Sequence, residues 1–276
     1  RAFVASSSGR VMTRSLRSMV PDSARRKLRL ARIGTVVLRP REHLFLFSHM
    51  RSYSSLLGHI LGSNPEINGY AELQLSYETE LDFIRSSLKV YETNGNQLHG
   101  KYIFDKILHG HLEVGKVVLN LPQAVAIFCV RDPGDTVRST VTMARRRKKP
   151  DWKGDVDKVA SYYKRRTTQL VELADGFTGR TCLLEAEHVL THSTETLDGL
   201  TQFLELKEPL RADYDVFSHT GKPQFGDPGK HIKSGRLVKD RDSHDEVELP
   251  AGMAAELGAH RATILDQLRN ACDVSL

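Results

Sequence analysis

From His43 onward the chain alternates short apolar runs with stretches of helical periodicity, and this alternation constrains its fold more than any other feature. Residues 44–47 read as a buried strand, and 54–61 follow with Leu56, Leu57, Ile60 and Leu61 on one helical face. Residues 101–108 and 124–130 are the next strand candidates. A long charged helical region follows Trp152, then a strand at 181–184 and a helix from about residue 194 to 204. Unbroken apolar strands separated by helices predict a three-layer α/β domain, a central parallel sheet covered by helices on both faces. A chain of 276 residues is long enough to bury such a core. The stretch 209–241, rich in Gly, Pro, Asp and His, reads as loop.

Charge separates the first 41 residues from the rest. They hold eleven Lys and Arg against the single acid Asp22, a charge of +10, whereas the remaining 29 basic and 33 acidic residues give −4. The chain is therefore expected to comprise a basic arm (1–41) and one domain (42–276). A body of that sign does not predict a nucleic-acid surface. The arm is rich in Arg and Ser and poor in acids, as transit peptides are. Residues 24–33 suit a basic helix lying against an anionic membrane, a solvated tail being the alternative. Cys129, Cys182 and Cys272 are too few and too scattered for a disulfide framework or a cysteine-rich metal site, which points to a reducing compartment, the cytoplasm.

Two junctions carry chemistry. Residues 43–61, HLFLFSHMRSYSSLLGHIL, form a strand, a tight polar turn and an amphipathic helix. A helix N-terminus offers unpaired N–H groups and partial positive charge to an anion. Here Arg51 adds a planar fork for phosphate or sulfate oxygens, and Ser52, Ser54 and Ser55 add hydroxyls. Residues 110–117, GHLEVGKV, match Walker spacing at Gly110, Gly115 and Lys116, but Val117 stands where a Mg²⁺-binding hydroxyl is needed. That segment also precedes an apolar run and is not expected to open a clear helix. At the second junction, AVAIFCVRDPGDTVRS, a strand ends at Arg131, with Asp132 a good N-cap and Pro133 suited to the first helical position. Asp135 falls where a capping-box acid belongs. Arg131 and Ser139 then stand at the carboxyl end of a strand, where open α/β sheets bind ligands.

Taken together, the junctions resemble the motifs of sulfotransferases that use 3'-phosphoadenosine 5'-phosphosulfate (PAPS). The first family motif, Arg-Ser-Gly-Ser-Ser in carbohydrate-type members, stands here as Arg51-Ser52-Tyr53-Ser54-Ser55. The second, a strand ending in Arg-Asp-Pro with a Ser eight positions after the Arg, stands as Arg131-Asp132-Pro133 and Ser139. Asn64-Pro65, Gly69-Tyr70-Ala71-Glu72, residues 181–190 and 197–204 continue the likeness, which spans about residues 43–206.

The resemblance implies a P-loop-like sulfotransferase fold, PAPS as cosubstrate, PAP as product, and no metal. It implies that Arg51, Ser52, Tyr53, Ser54 and Ser55 grip the 5'-phosphosulfate and that Arg131 and Ser139 hold the 3'-phosphate. Arg51, then Lys106, would assist the leaving group. Glu72 would be the general base, with His109 and His111 as rivals. The loop 225–237, with Lys230, Lys233 and Arg236, would fold over the nucleotide, whereas the basic run 145–149 reads as a charged helix end. The expected acceptor is a carbohydrate or glycolipid hydroxyl. Tyr53 departs from the family glycine, so the loop is not expected to adopt positive φ freely there. A Mg²⁺-dependent small-molecule kinase and a noncatalytic polyanion-binding module are the alternatives.

Overall fold

The structure, a computed structural model, describes residues 22–146, 151–222, 229, 231–239 and 246–276. The chain divides into two units, Arg1–Arg39 and Pro40–Leu276. The described part of the first is chiefly helix α1 (Asp22–Val37), which extends beyond the expected 24–33 and leaves Leu30 exposed.

In the second unit, six strands of the described residues form one parallel sheet: β1 (Glu42–Phe47), β2 (Ile67–Asn68), β3 (Tyr102–Ile107), β4 (Ala124–Val130), β5 (Arg180–Glu185) and β6 (Val274–Ser275). Their order is β2-β3-β1-β4-β5-β6. The connections carry α2 (Ser54–Gly62), α3 (Glu80–Thr93), the short α4 (Lys116–Leu119), α5 (Pro133–Arg145), α6 (Val156–Asp175), the short α7 (His188–Thr191), α8 (Ser193–Phe203) and α9 (Met253–Ala271). Contrary to expectation, the Walker-like segment does open a helix, α4, but one of only four residues.

Every residue of β4 is buried, as a central strand covered on both faces requires. Period-two alternation sorts its side chains. Val125, Ile127 and Cys129 join Leu44 and Leu46 of β1 against Leu57, Ile60 and Leu61 of α2 and Leu197, Leu200 and Phe203 of α8. Ala126, Phe128 and Val130 join Phe45 and Phe47 against Leu170, Val171 and Ala174 of α6 and Ile264, Leu265 and Leu268 of α9. Burying each large apolar side chain contributes roughly 1.5–3 kcal/mol, so the two faces together dominate the stability of the domain. The three-layer α/β reading therefore holds.

The sheet order matters for chemistry. The chain leaves β1 for β2 and β3 on one side and then crosses to β4, β5 and β6 on the other. The carboxyl ends of β1, β3 and β4 thus meet where the winding reverses, which is where open α/β sheets have their crevice.

α2 packs closely on the Tyr70 backbone and the Lys106 stem because Gly58 has no side chain. A Cβ there would stand 2.4 Å from the Tyr70 carbonyl oxygen and 3.3 Å from Cδ of Lys106. Glycine to alanine inside a helix ordinarily stabilises by about 1 kcal/mol. Here the backbone overlap reverses the sign, and Gly58→Ala is expected to destabilise the domain by about 1–3 kcal/mol in urea titration. An unchanged or raised midpoint would contradict this packing.

Candidate functional site

The turn after β1 is held from inside. Ser48 Oγ lies 2.5 Å from the Cys129 carbonyl oxygen and 2.6 Å from Ser52 Oγ, while Ser52 Oγ donates to the His49 carbonyl at 2.8 Å. The Ser52 hydroxyl is thus turned into the loop and fully buried. His49 Nε2 accepts the Arg131 backbone N–H at 3.0 Å. That bond leaves the ring proton on Nδ1, which donates to the Met50 carbonyl at 3.0 Å. One buried imidazole therefore links the turn after β1 to the end of β4.

Arg51 and Tyr53 both take left-handed backbone, with φ of 64° and 60°. Tyr53 thus adopts the positive φ that its side chain was expected to hinder. Each such residue costs on the order of 1–2 kcal/mol. Cation–π contact offsets part of this, since the Arg131 guanidinium lies over the Tyr53 ring, 4.2 Å from its centroid. Tyr53 is the N-cap of α2 and makes no side-chain capping bond.

The two junctions meet directly. Arg51 Nε donates to Ser139 Oγ at 3.0 Å, and Arg131 Nη1 donates to the Arg51 carbonyl at 2.9 Å. Arg131 Nη2 reaches Asp135 Oδ2 at 3.2 Å, so the expected capping-box acid pairs with an arginine. Asp132 caps α5 by accepting the Asp135 N–H at 2.9 Å. Its own N–H donates to Glu187 Oε1 at 2.6 Å, and Glu187 in turn receives Arg261 of α9.

Helix α6 ties the three strand ends together. Arg166 donates from Nε to the Ser48 carbonyl at 2.9 Å and from Nη2 to the Ile107 carbonyl at 2.7 Å. The Tyr162 hydroxyl receives the Met50 N–H and donates to the Leu108 carbonyl, and the Tyr163 hydroxyl donates to the Arg131 carbonyl. Burial lowers the Arg166 guanidinium to about 10, which still leaves it charged at neutral pH.

On the other side of β1, Lys106 is buried at the end of β3, with its stem against Gly58. Its charge is felt by Glu72 and by His59. Burial raises the Glu72 carboxyl above the ordinary range, with Lys106, the amide of Gln74 and Lys153 pulling the other way. His109 stacks on His111, ring centroids 5.3 Å apart. Burial, aided by the charges of His111, Lys153 and Arg166, lowers His109 to about 4. A neutral imidazole at physiological pH follows.

Arg51, Ser52, Tyr53, Ser54, Ser55, Arg131 and Ser139 therefore gather at the ends of β1 and β4, while Glu72, Lys106 and His109 belong to the β3 side. Lys233 is exposed on a 3₁₀ turn at His231–Ser234, and Lys230 lies outside the described residues. Of the basic run 145–149, residues 147–149 also lie outside them; Arg145 ends α5. Sequence reading missed Ser48, His49, Lys153, Tyr162, Tyr163 and Arg166. The last three share a helix face with Val159 and Leu170, an i, i+3, i+4, i+7 pattern that was legible but masked by the surrounding charge. Among the described residues no group of three or more His, Cys, Asp or Glu is placed to hold a metal ion. No described helix is long and apolar enough to cross a membrane.

This arrangement is that of a parallel α/β domain with Arg51 and Arg131 brought together at the ends of its strands. It is similar in structure to the sulfotransferase domain from the curacin biosynthetic pathway, with a TM-score of 0.53 and 15% identity. The match covers 81% of this chain and 98% of that domain. The likeness shows a shared fold, that of a sulfotransferase domain. No protein family and no curated protein matches the chain in sequence.

Burial, with the charges of Arg131, Arg166 and Arg261, takes the His49 imidazole from 6.5 down to about 3. Between those values the unfolded chain holds a proton at His49 that the folded chain does not. Its contribution to stability is therefore complete above about pH 6.5 and is lost as pH falls toward 3. His49→Asn removes this dependence. The stability difference between wild type and variant should shrink by about 1.4 kcal/mol per pH unit below about pH 6, measured by urea titration. A difference that stays constant with pH would contradict a neutral, buried His49.

Proposed function

We propose that the chain is a sulfotransferase that moves a sulfuryl group from PAPS to a carbohydrate or glycolipid hydroxyl. The observation that carries this reading is the meeting of two arginines, one from each junction, beside the start of α2: Arg131 donates to the Arg51 carbonyl, and Arg51 donates to Ser139. Arg131 Nε is buried without a hydrogen-bond partner in the protein, and a phosphate oxygen would satisfy it. An anion at this point would also compete with Ser139 for Arg51. The residues present thus suit a nucleotide with phosphate-type groups at both ends.

PAPS supplies the sulfuryl group and a phosphate leaving group. Arg51 and the backbone N–H groups at the start of α2 would bind the 5'-phosphosulfate and offset the charge that grows on the bridging oxygen. Arg131 and Ser139 would hold the 3'-phosphate. Glu72, its carboxyl raised by burial, would take the proton of the acceptor hydroxyl. Lys106 lies close enough for its charge to act on Glu72 and would supply a second cation near the reacting atoms. The carbohydrate-type form of the first motif supports a sugar hydroxyl as acceptor. The +10 charge of residues 1–41 supports peripheral contact with an anionic membrane.

Arg51→Ala and Arg131→Ala are each expected to weaken PAP binding by about 1.5–3 kcal/mol in equilibrium dialysis, the range for charge-assisted hydrogen bonds. Glu72→Gln should leave PAP affinity unchanged and abolish release of PAP from PAPS. Wild-type PAP affinity in both arginine variants would contradict the nucleotide site, and wild-type turnover in Glu72→Gln would contradict the base.

A further inference from the structure

Asp105 is a buried carboxylate that the mechanism above does not use. It lies on β3 beside Lys106 and is 2% exposed. A carboxylate so placed is costly to keep unless it is fully bonded. Its bonds all serve one segment and its own strand. Oδ1 accepts the Leu73 N–H at 2.8 Å, Oδ2 accepts the Tyr77 hydroxyl at 2.8 Å, and the Lys106 N–H is a third donor. Leu73 directly follows Glu72, and the stretch 70–76 belongs to no helix or strand. Regular backbone ladders therefore do not fix Glu72.

From the opposite side, Lys89 Nζ of α3 donates to the Leu73 carbonyl at 2.6 Å. Both polar groups of Leu73 are thus held by side chains, one from the sheet and one from a helix. The Glu72 carboxylate itself is bonded by the side-chain amide of Gln74, whose backbone is left-handed at φ 53°. Burial raises the Asp105 carboxyl to about 7, and the charge of Glu72 adds to that rise, so the two carboxyls are electrostatic neighbours.

We infer that Asp105, seconded by Lys89, is a positioning residue that clamps the Leu73 peptide and so holds Glu72 at the end of β3. The inference rests on the sulfotransferase reading, with Glu72 as base. A packing role alone would predict loss of stability without a selective loss of turnover.

The test uses the full chain, with PAPS and water as acceptor, and reads four quantities: kcat for PAP release, PAP affinity, melting temperature, and hydrogen exchange of amides 70–77. Asp105→Ala should lower kcat by about tenfold or more and speed exchange by about tenfold, with PAP affinity within about twofold of wild type. Asp105→Asn keeps an oxygen for Leu73 and should restore both quantities to within about threefold. Lys89→Met alters an exposed side chain and should lower kcat by about threefold without lowering the melting temperature. Wild-type kcat or exchange in Asp105→Ala overturns the inference, as does Asp105→Asn being equally defective. If Asp105→Ala does not fold, wild-type kcat in Lys89→Met overturns it. A wild-type chain that binds no PAP contradicts the sulfotransferase reading instead, a result separable from an unchanged exchange rate.

Discussion

The crevice depends on β1 and β4 being parallel neighbours, paired from His43 with Ala124 through Phe47 with Phe128. This register brings Arg51 and Arg131, 80 residues apart in the chain, to one point above the sheet. Antiparallel pairing would send the two junctions to opposite ends, and no local sequence preference could reunite them. The register rests in turn on apolar runs that are buried on both faces. The covering helices are thus part of the site. α6 shows this most clearly, because Tyr162, Tyr163 and Arg166 donate to the carbonyls of Leu108, Arg131, Ser48 and Ile107 at the strand ends.

Concentrating positive charge and left-handed backbone in one turn is unfavourable in isolation. Two non-glycine residues at positive φ cost a few kcal/mol together, comparable to a large share of a domain's net stability. The turn persists because its surroundings determine it several times over. His49 ties it to β4, Ser48 and Ser52 fill its inside, Tyr162 and Arg166 fix it from α6, and Arg131 covers Tyr53. Such over-determination is what a preformed anion site requires, since donors already oriented need no reorganisation on binding.

Local signals were legible in the sequence. The apolar run of β4, the Asp132 cap with Pro133, and the periodicity of α2 all depend on residues within one or two turns of each other, and they stand where they were expected. β2 and β6 were not foreseen, because two-residue strands carry no period at all. Helices α3 and α9 also went unread. Three apolar residues of α3, Leu81, Ile84 and Leu88, face solvent and blur its pattern. In the site, residue types at the junctions pointed to an anion, but partners did not. Nothing near Ser139 in the chain announces Arg51, and nothing near Glu72 announces Asp105, since each pairing is made by the sheet. Tyr53 was misjudged for a similar reason: the penalty of its backbone is local, whereas the Arg131 guanidinium that offsets it comes from another strand.

The proposed site joins two strand ends around a nucleotide bearing phosphate-type groups at both ends. Calorimetric titration of the purified chain with PAP in the absence of Mg²⁺, with ATP as control, tests it most directly. Micromolar binding of PAP, on the order of −8 kcal/mol, is expected, with much weaker binding of ATP. Absence of PAP binding, or tight binding of ATP that requires Mg²⁺, would contradict it and favour a kinase.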